Sequence, residues 1–203
     1  RSVSKYRETY MPRGYLTHMY DVLSGISKGF TFNPTLNEHA DGRCLLKSVK
    51  EKCLVIYDRL YFSKETILQH FAQKTYFLMR CRTKANKHID RFFDSSKKST
   101  SFKYNGHRLY LFKIKHPKTG ESNVFVTNLP RRWRKSKIIR GIYRLRWEVE
   151  TFFKELTGIT KAEQWHSKSY NGILQELYAR FWKINFTKIS MAKAGQKPLD
   201  PDK

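Results

Sequence analysis

The chain has 203 residues, with 41 Lys and Arg against 17 Asp and Glu, a formal net charge of +24. Apolar residues make up 39% and include 14 Phe, 12 Tyr and 4 Trp, enough bulk for a packed core, which argues against wholesale disorder. Three cysteines (Cys44, Cys53, Cys81) without a CxxC pair exclude a secreted disulfide scaffold and suit a reducing compartment. No apolar run approaches the roughly 20 residues that span a bilayer, and no apolar targeting segment opens the chain. One domain of ordinary size with an inserted subdomain is the expectation. The cationic surplus favours a polyanionic partner, nucleic acid ahead of an anionic membrane, since neither a cationic helix with a clean apolar face nor a lipidation motif is present. A merely soluble basic surface is the plain alternative.

Residues 1–14 (RSVSKYRETYMPRG) show no period and read as a segment that wraps a core or touches a partner. Tyr15–Val22 is β-favouring and is followed by a Ser24-Gly25 turn. Gly29–Thr35 places Phe30 and Phe32 on one face of a second short strand. Asp41–Val49 reads as a helix with Asp41 as N-cap. Cys53–Tyr57 is a continuous apolar run that ends abruptly in Asp58-Arg59, the pattern of a strand buried on both faces. Ser63 with Glu65-Thr66 opens a helix through Gln73, and Tyr76–Cys81 is another buried strand. This alternation predicts an α/β arrangement with parallel elements, residues 1–84 forming the first part of the core.

From 85 to 130 the pattern is that of a β-rich insertion. Asn105-Gly106 signals a hairpin turn, and Leu109–Ile114 and Asn123–Asn128 flank a Pro117/Gly120 turn. Residues 131–190 are then helical. Ile138, Ile142, Leu145, Val149, Phe152 and Leu156 recur at spacings of three and four, which predicts one helix over Ser136–Leu156. A second helix is expected over Asn171–Ile184, and a disordered tail over 191–203.

On the predicted long helix Tyr143, Arg146 and Glu150 share a face beside the apolar stripe, and Arg146 can pair with Glu150. Asp58 follows a buried strand, and sites in open α/β sheets form at such strand ends. A carboxylate there needs a metal, a cation such as Arg59, or a helix N-terminus. Taken singly, a salt-bridged helix surface and a turn aspartate explain these residues. Together, Asp58 and Glu150 could converge on hard divalent ions that bridge phosphate oxygens. Arg131, Arg132, Trp133, Arg134, Lys135 and Lys137, followed by Arg140, form the densest cationic run, suited to a DNA backbone with the indole free to stack. Arg80 follows a buried strand and can face the same cleft. Zinc-ligand spacings and phosphate-loop motifs are absent from the sequence.

These residues lead to a family. VIYDRLYFS at 55–63 resembles the strand-Asp-Arg-x-Tyr element around the second catalytic aspartate of bacterial insertion-sequence transposases. YRLRWEVETFFKEL at 143–156 resembles the Y-x2-R-x3-E-x6-K signature of that group, with Tyr143, Arg146 and Glu150 matching. Thr157 stands at the lysine position, with Lys154 and Lys161 nearby but out of register, and Glu163–Glu176 also resembles the group. The resemblance implies an RNase H-like mixed five-stranded sheet with flanking helices and a β-rich insertion. It implies a DDE mechanism in which carboxylates, among them Asp58 and Glu150, hold two Mg2+ ions, with Mn2+ as a substitute. Tyr143 and Arg146 would contact transposon-end DNA. The implied partners are double-stranded transposon ends and target DNA and a second copy of the chain on DNA. The implied setting is the bacterial cytoplasm, at the nucleoid and not a membrane. The first catalytic aspartate belongs on a strand before about residue 10, yet Arg1–Tyr20 contains no Asp. The N-terminal strand is therefore expected to be missing from this chain. A catalytically dead DNA-binding remnant that inhibits a full-length transposase is the alternative, and an RNase H-like nuclease unrelated to transposition is a third.

Overall fold

A computed structural model describes residues 14–116, 119–158, 165–167 and 169–195. The opening segment 1–13, Pro117 of the expected turn, Lys161, part of Glu163–Glu176 and residues 196–203 of the expected tail lie outside them. The elements in chain order are β1 (Tyr15–Asp21), β2 (Ile26–Asn33), α1 (Glu38–Leu46), β3 (Leu54–Tyr57), α2 (Lys64–Ala72), β4 (Tyr76–Cys81) and α3 (Lys87–Asp94). There follow β5 (Ser99–Tyr104), β6 (His107–Lys115), β7 (Ser122–Thr127), a 3-10 turn (Arg131–Trp133), α4 (Ser136–Arg144), α5 (Trp147–Gly158) and α6 (Tyr170–Lys193).

The predicted mixed sheet is present, with five strands in the order β3-β4-β7-β6-β5. β3 and β4 pair in parallel through the α2 crossover, and the remaining pairs are antiparallel. Ser63 caps α2, its hydroxyl accepting from the Thr66 amide. Asn105 and Gly106, at φ 47° and 81°, make the tight turn between β5 and β6 that the Asn-Gly pair predicts. Helices cover both faces. Phe77, Met79, Leu109, Leu111, Val124 and Val126 point to the face that also buries Ile67, Ile89 and Phe92 of α2 and α3. Leu78, Phe112, Phe125 and Leu129 meet Ile139 of α4 on the other. A second core lies apart: Leu16, Tyr20, Phe30 and Phe32 of the β1–β2 hairpin pack on Phe152, Leu156, Ile173, Leu177, Phe181 and Ile184 of α5 and α6.

Several expectations are corrected. β1 and β2 form their own two-stranded sheet rather than joining the main one. The segment 85–130, expected as a β-rich insertion with a return to the main sheet, holds α3 as well as strands, and β5, β6 and β7 all pair within the main sheet. The reason lies in β7, whose Val124 and Val126 face one side and Phe125 the other, all buried, so that it must be a central strand. β3, expected to be buried on both faces, is an edge strand in which only Tyr57 is buried. Helix α1 starts earlier than expected, because Asn37 rather than Asp41 accepts from the Ala40 amide. Asp41 then lies inside the helix, buried, accepting from Asn33 Nδ2 at 2.7 Å. Helix α6 runs on past Ile184 to Lys193, so the first residues of the expected tail are helical.

The single helix expected over Ser136–Leu156 is broken at Leu145–Arg146 into α4 and α5. Two cores are served at once: Ile142 and, in place of the expected Ile138, its neighbour Ile139 sit on the main sheet, and Phe152 and Leu156 on the hairpin. Across the break the hydrogen bonds tighten to a three-residue spacing, from Arg146 N to Tyr143 O at 3.1 Å and from Val149 N to Arg146 O at 3.2 Å.

Candidate active site

The site begins with how the end of β3 is held. The buried Tyr57 hydroxyl lies 2.9 Å from Nε2 of His70 on α2, and His70 Nδ1 lies 2.7 Å from the Thr75 hydroxyl. Both ring nitrogens are engaged, and burial drives the imidazole pKa down to about 4, so the ring is neutral. With Tyr57 anchored beneath the sheet, the next residue, Asp58, emerges at its rim with 48% of its side chain exposed. The Arg59 amide donates to Asp58 Oδ1 at 2.7 Å. Tyr61 sits alongside, its hydroxyl pKa pushed up to about 12 by burial and then by the charges of Glu38, Asp41 and Asp58.

From the other side the end of α4 and the break deliver Tyr143 and Arg146. The Tyr143 ring meets Phe125 edge-on at 4.7 Å, and its hydroxyl donates to Asp58 Oδ1 at 3.4 Å. Burial, and then the Asp58 charge, push its pKa up to about 12, with Arg146 and Arg80 pulling the other way. Arg146 lies between the two carboxylates: Nη1 is 3.8 Å from Asp58 Oδ2, and Nη2 donates to Glu150 Oε1 at 2.8 Å. Burial works against the Arg146 charge, but the Glu150 hydrogen bond and then the Asp58 charge outweigh it and raise its pKa. Trp147 is 61% exposed beside it, the Arg146 guanidinium 5.6 Å from its ring centroid.

Asp58, Tyr143, Arg146 and Glu150 are thus brought together, and Arg80 is close enough for its charge to act on Tyr143. Thr157 turns back on its own helix, its hydroxyl donating to the carbonyls of Phe153 and Lys154. The run Arg131–Lys137 is not part of this constellation: Arg134 stacks on Tyr110 of β6, towards the β5 edge, away from β3. Sequence reading missed Tyr61 and Trp147. The Tyr in the Asp-Arg-x-Tyr element was a signal for the first, and nothing local marked the second.

Asp58 and Glu150 are half exposed and flank one guanidinium, a donor set that fits a single hard divalent ion whose other ligands are water and phosphate oxygens. No group of three His, Cys, Asp or Glu side chains among the described residues is placed to hold a metal. A second ion therefore lacks a third carboxylate there.

Comparison with known proteins agrees with this reading of the fold. The family model described as Transposase DDE domain matches residues 5–186. No curated protein matches the chain. Among solved structures, the cryo-EM structure of a piggyBac transposase synaptic complex with hairpin DNA superposes with a TM-score of 0.61 at 14% identity. The match covers 92% of this chain but 43% of that one, so the chain spans less than half the length of that transposase.

Proposed function

The chain belongs to the transposase DDE domain family, and on that premise we propose that it cuts and rejoins DNA at the ends of a mobile element. The observation that carries the proposal is the meeting of Asp58 and Glu150, remote in sequence, on one guanidinium at a sheet rim. Asp58 and Glu150 would hold Mg2+, with Mn2+ as a substitute. A bound divalent ion polarises a phosphoryl oxygen and makes water a nucleophile at neutral pH. The chain's own residues do the rest. Arg146, which pairs with both carboxylates in the free protein and offsets one of their two charges, would be released towards the phosphate backbone if they held the ion. Tyr143 stays a neutral hydrogen-bond donor throughout the physiological range, since its pKa lies near 12. Arg80 adds positive charge on the same side. The bacterial insertion-sequence setting and a homodimer on DNA belong to this reading, and two-ion chemistry would need a further carboxylate besides those of the described residues.

A supercoiled-plasmid assay tests it. Nicking that needs Mg2+ and disappears in Asp58→Ala and Glu150→Ala is the expected result. Nicking that survives either substitution would overturn the site. The second reading, a DNA-binding chain without activity, is favoured by one observation, the lack of a third close carboxylate among the described residues. It predicts salt-sensitive DNA binding with no metal-dependent nicking.

A further inference from the structure

A second polar site lies across the sheet from Asp58. The 3-10 turn and the residues that lead from it into α4 line, with β5 and β6, an open cleft of about 590 Å3. Its cations are Arg131, Arg134 and Lys135, and its hydroxyls come from Ser99, Thr100 and Ser101. Ser99 and Ser101 stand opposite Phe112 and Tyr110 in the β5–β6 register, on the face that α4 covers. The Arg134 guanidinium lies flat over the Tyr110 ring at 3.5 Å, which fixes its plane, while its buried Nε has no hydrogen-bond partner. Cations and hydroxyl donors around one cleft ask for an anion with several oxygens. Nothing acidic competes: Glu121 is the only Asp or Glu between Asp94 and Glu148.

The cleft is also connected to the carboxylates. Lys137, Arg140 and Arg144 are exposed at spacings of three and four on the outer face of α4, above the buried Ile139. Helix α4, about 13 Å long, leads from the side of the cleft towards β3, where the Tyr143 side chain reaches Asp58. Four strand spacings of about 4.8 Å separate β5 from β3, roughly 19 Å.

We infer that this cleft and the cationic stripe of α4 form a backbone track, holding the DNA duplex at phosphates away from the reacting one. The inference rests on the reading of the chain as a DNA-acting enzyme and adds where the DNA leaves the carboxylates. Its recognition is of phosphate, not of base sequence.

The test is fluorescence anisotropy of the full chain with a random 30-base-pair duplex across a salt series, without divalent metal. The variants are Arg131→Ala/Lys135→Ala for the cleft and Lys137→Ala/Arg140→Ala/Arg144→Ala for the stripe. Lys50→Ala/Lys52→Ala, exposed cations elsewhere, serve as the control. All these side chains are exposed, and Arg134, which is stacked, is left intact so that folding is not at issue. The log-log salt slope should become shallower by about two in the cleft pair and about three in the stripe triple, with affinity falling about tenfold or more at moderate salt. The control should keep the original slope. Equal slopes in cleft, stripe and control variants, with DNA binding and nicking intact, would overturn the track and leave the proposed activity standing. Altered slopes without nicking by the unsubstituted chain would keep the track and overturn the activity. Failure of the unsubstituted chain to bind the duplex would overturn both.

Discussion

Helix α5 carries two ion pairs that differ above all in burial. Glu150 meets Arg146 at 2.8 Å with side chains 42% and 21% exposed, and Glu155 meets Lys188 of α6 at 2.7 Å with side chains 10% and 13% exposed. A guanidinium serves the outer pair and an ammonium the inner one, and the surroundings differ further. The inner pair is flanked by aromatic rings, with Lys188 Nζ 5.4 Å from the Tyr20 ring centroid and 5.5 Å from that of Phe152. Either charge of that pair would have little water to turn to if its partner went. The outer pair sits at the rim, where water, an ion or a phosphate can replace either partner. Burial therefore assigns the roles: Glu155 ties α5 to α6, and Glu150 is free to exchange ligands.

The sharpest way to break this comparison is to neutralise each glutamate in turn. Glu150→Gln should reduce plasmid nicking to background while shifting stability by less than about 1 kcal/mol, as an exposed pair contributes little. Glu155→Gln should do the opposite, lowering unfolding free energy by roughly 3–5 kcal/mol in denaturant titration because Lys188 is left charged and enclosed. Equal stability losses in the two variants would sink the distinction.

Acid should find the enclosed regions first. Burial, and then the Lys188 charge, drive the pKa of His18 down to about 3, and burial alone drives that of His70 to about 4. The unfolded chain takes up these protons near pH 6.5, before the folded chain does. Stability supplied by neutral His18 and His70 is thus complete above pH 6.5 and is lost as pH falls towards 4, by up to about 1.4 kcal/mol per pH unit for each ring. Thermal melts over pH 7 to 4.5 measure it, and the slope should ease in His70→Phe after allowance for its lower starting stability. A flat profile would contradict the neutral assignment. Tyr143→Phe removes only a long bond to Asp58 and should cost about 1 kcal/mol or less in denaturant titration. Smallest in stability is Thr157→Lys at an exposed helix end, within about 0.5 kcal/mol. If the side chain reaches DNA, its salt slope should steepen by about one.

The difference between short-range and long-range order explains what could be read from the sequence. Ser63, the Asn105-Gly106 turn and the apolar runs ending at Tyr57 and Cys81 are local signals, and α2, β3, β4 and the β5–β6 hairpin follow them closely. The Tyr143-Arg146-Glu150 spacing was legible for the same reason. Which strands adjoin is not local. Nothing near β7 says that its partner is β4, so 85–130 reads as an insertion although it completes the sheet. The break at Leu145–Arg146 was hidden too, because the apolar spacing continues unbroken through it while the two halves bury that stripe in different places. The stacking of Arg134 on Tyr110 joins residues that no motif connects.

That break has a thermal consequence. Asp58 is carried by the main sheet, while Glu150 stands on the helix that belongs to the hairpin core; the Leu145–Arg146 joint and α1, which packs on both the hairpin and α2, link the two. The constellation is therefore only as well aligned as two separate cores are mutually still. On warming, loosening of either core should part the carboxylates while most of the secondary structure survives. Heat inactivation should accordingly precede melting, and a ligand that bridges Asp58 and Glu150 should close the gap between the two temperatures.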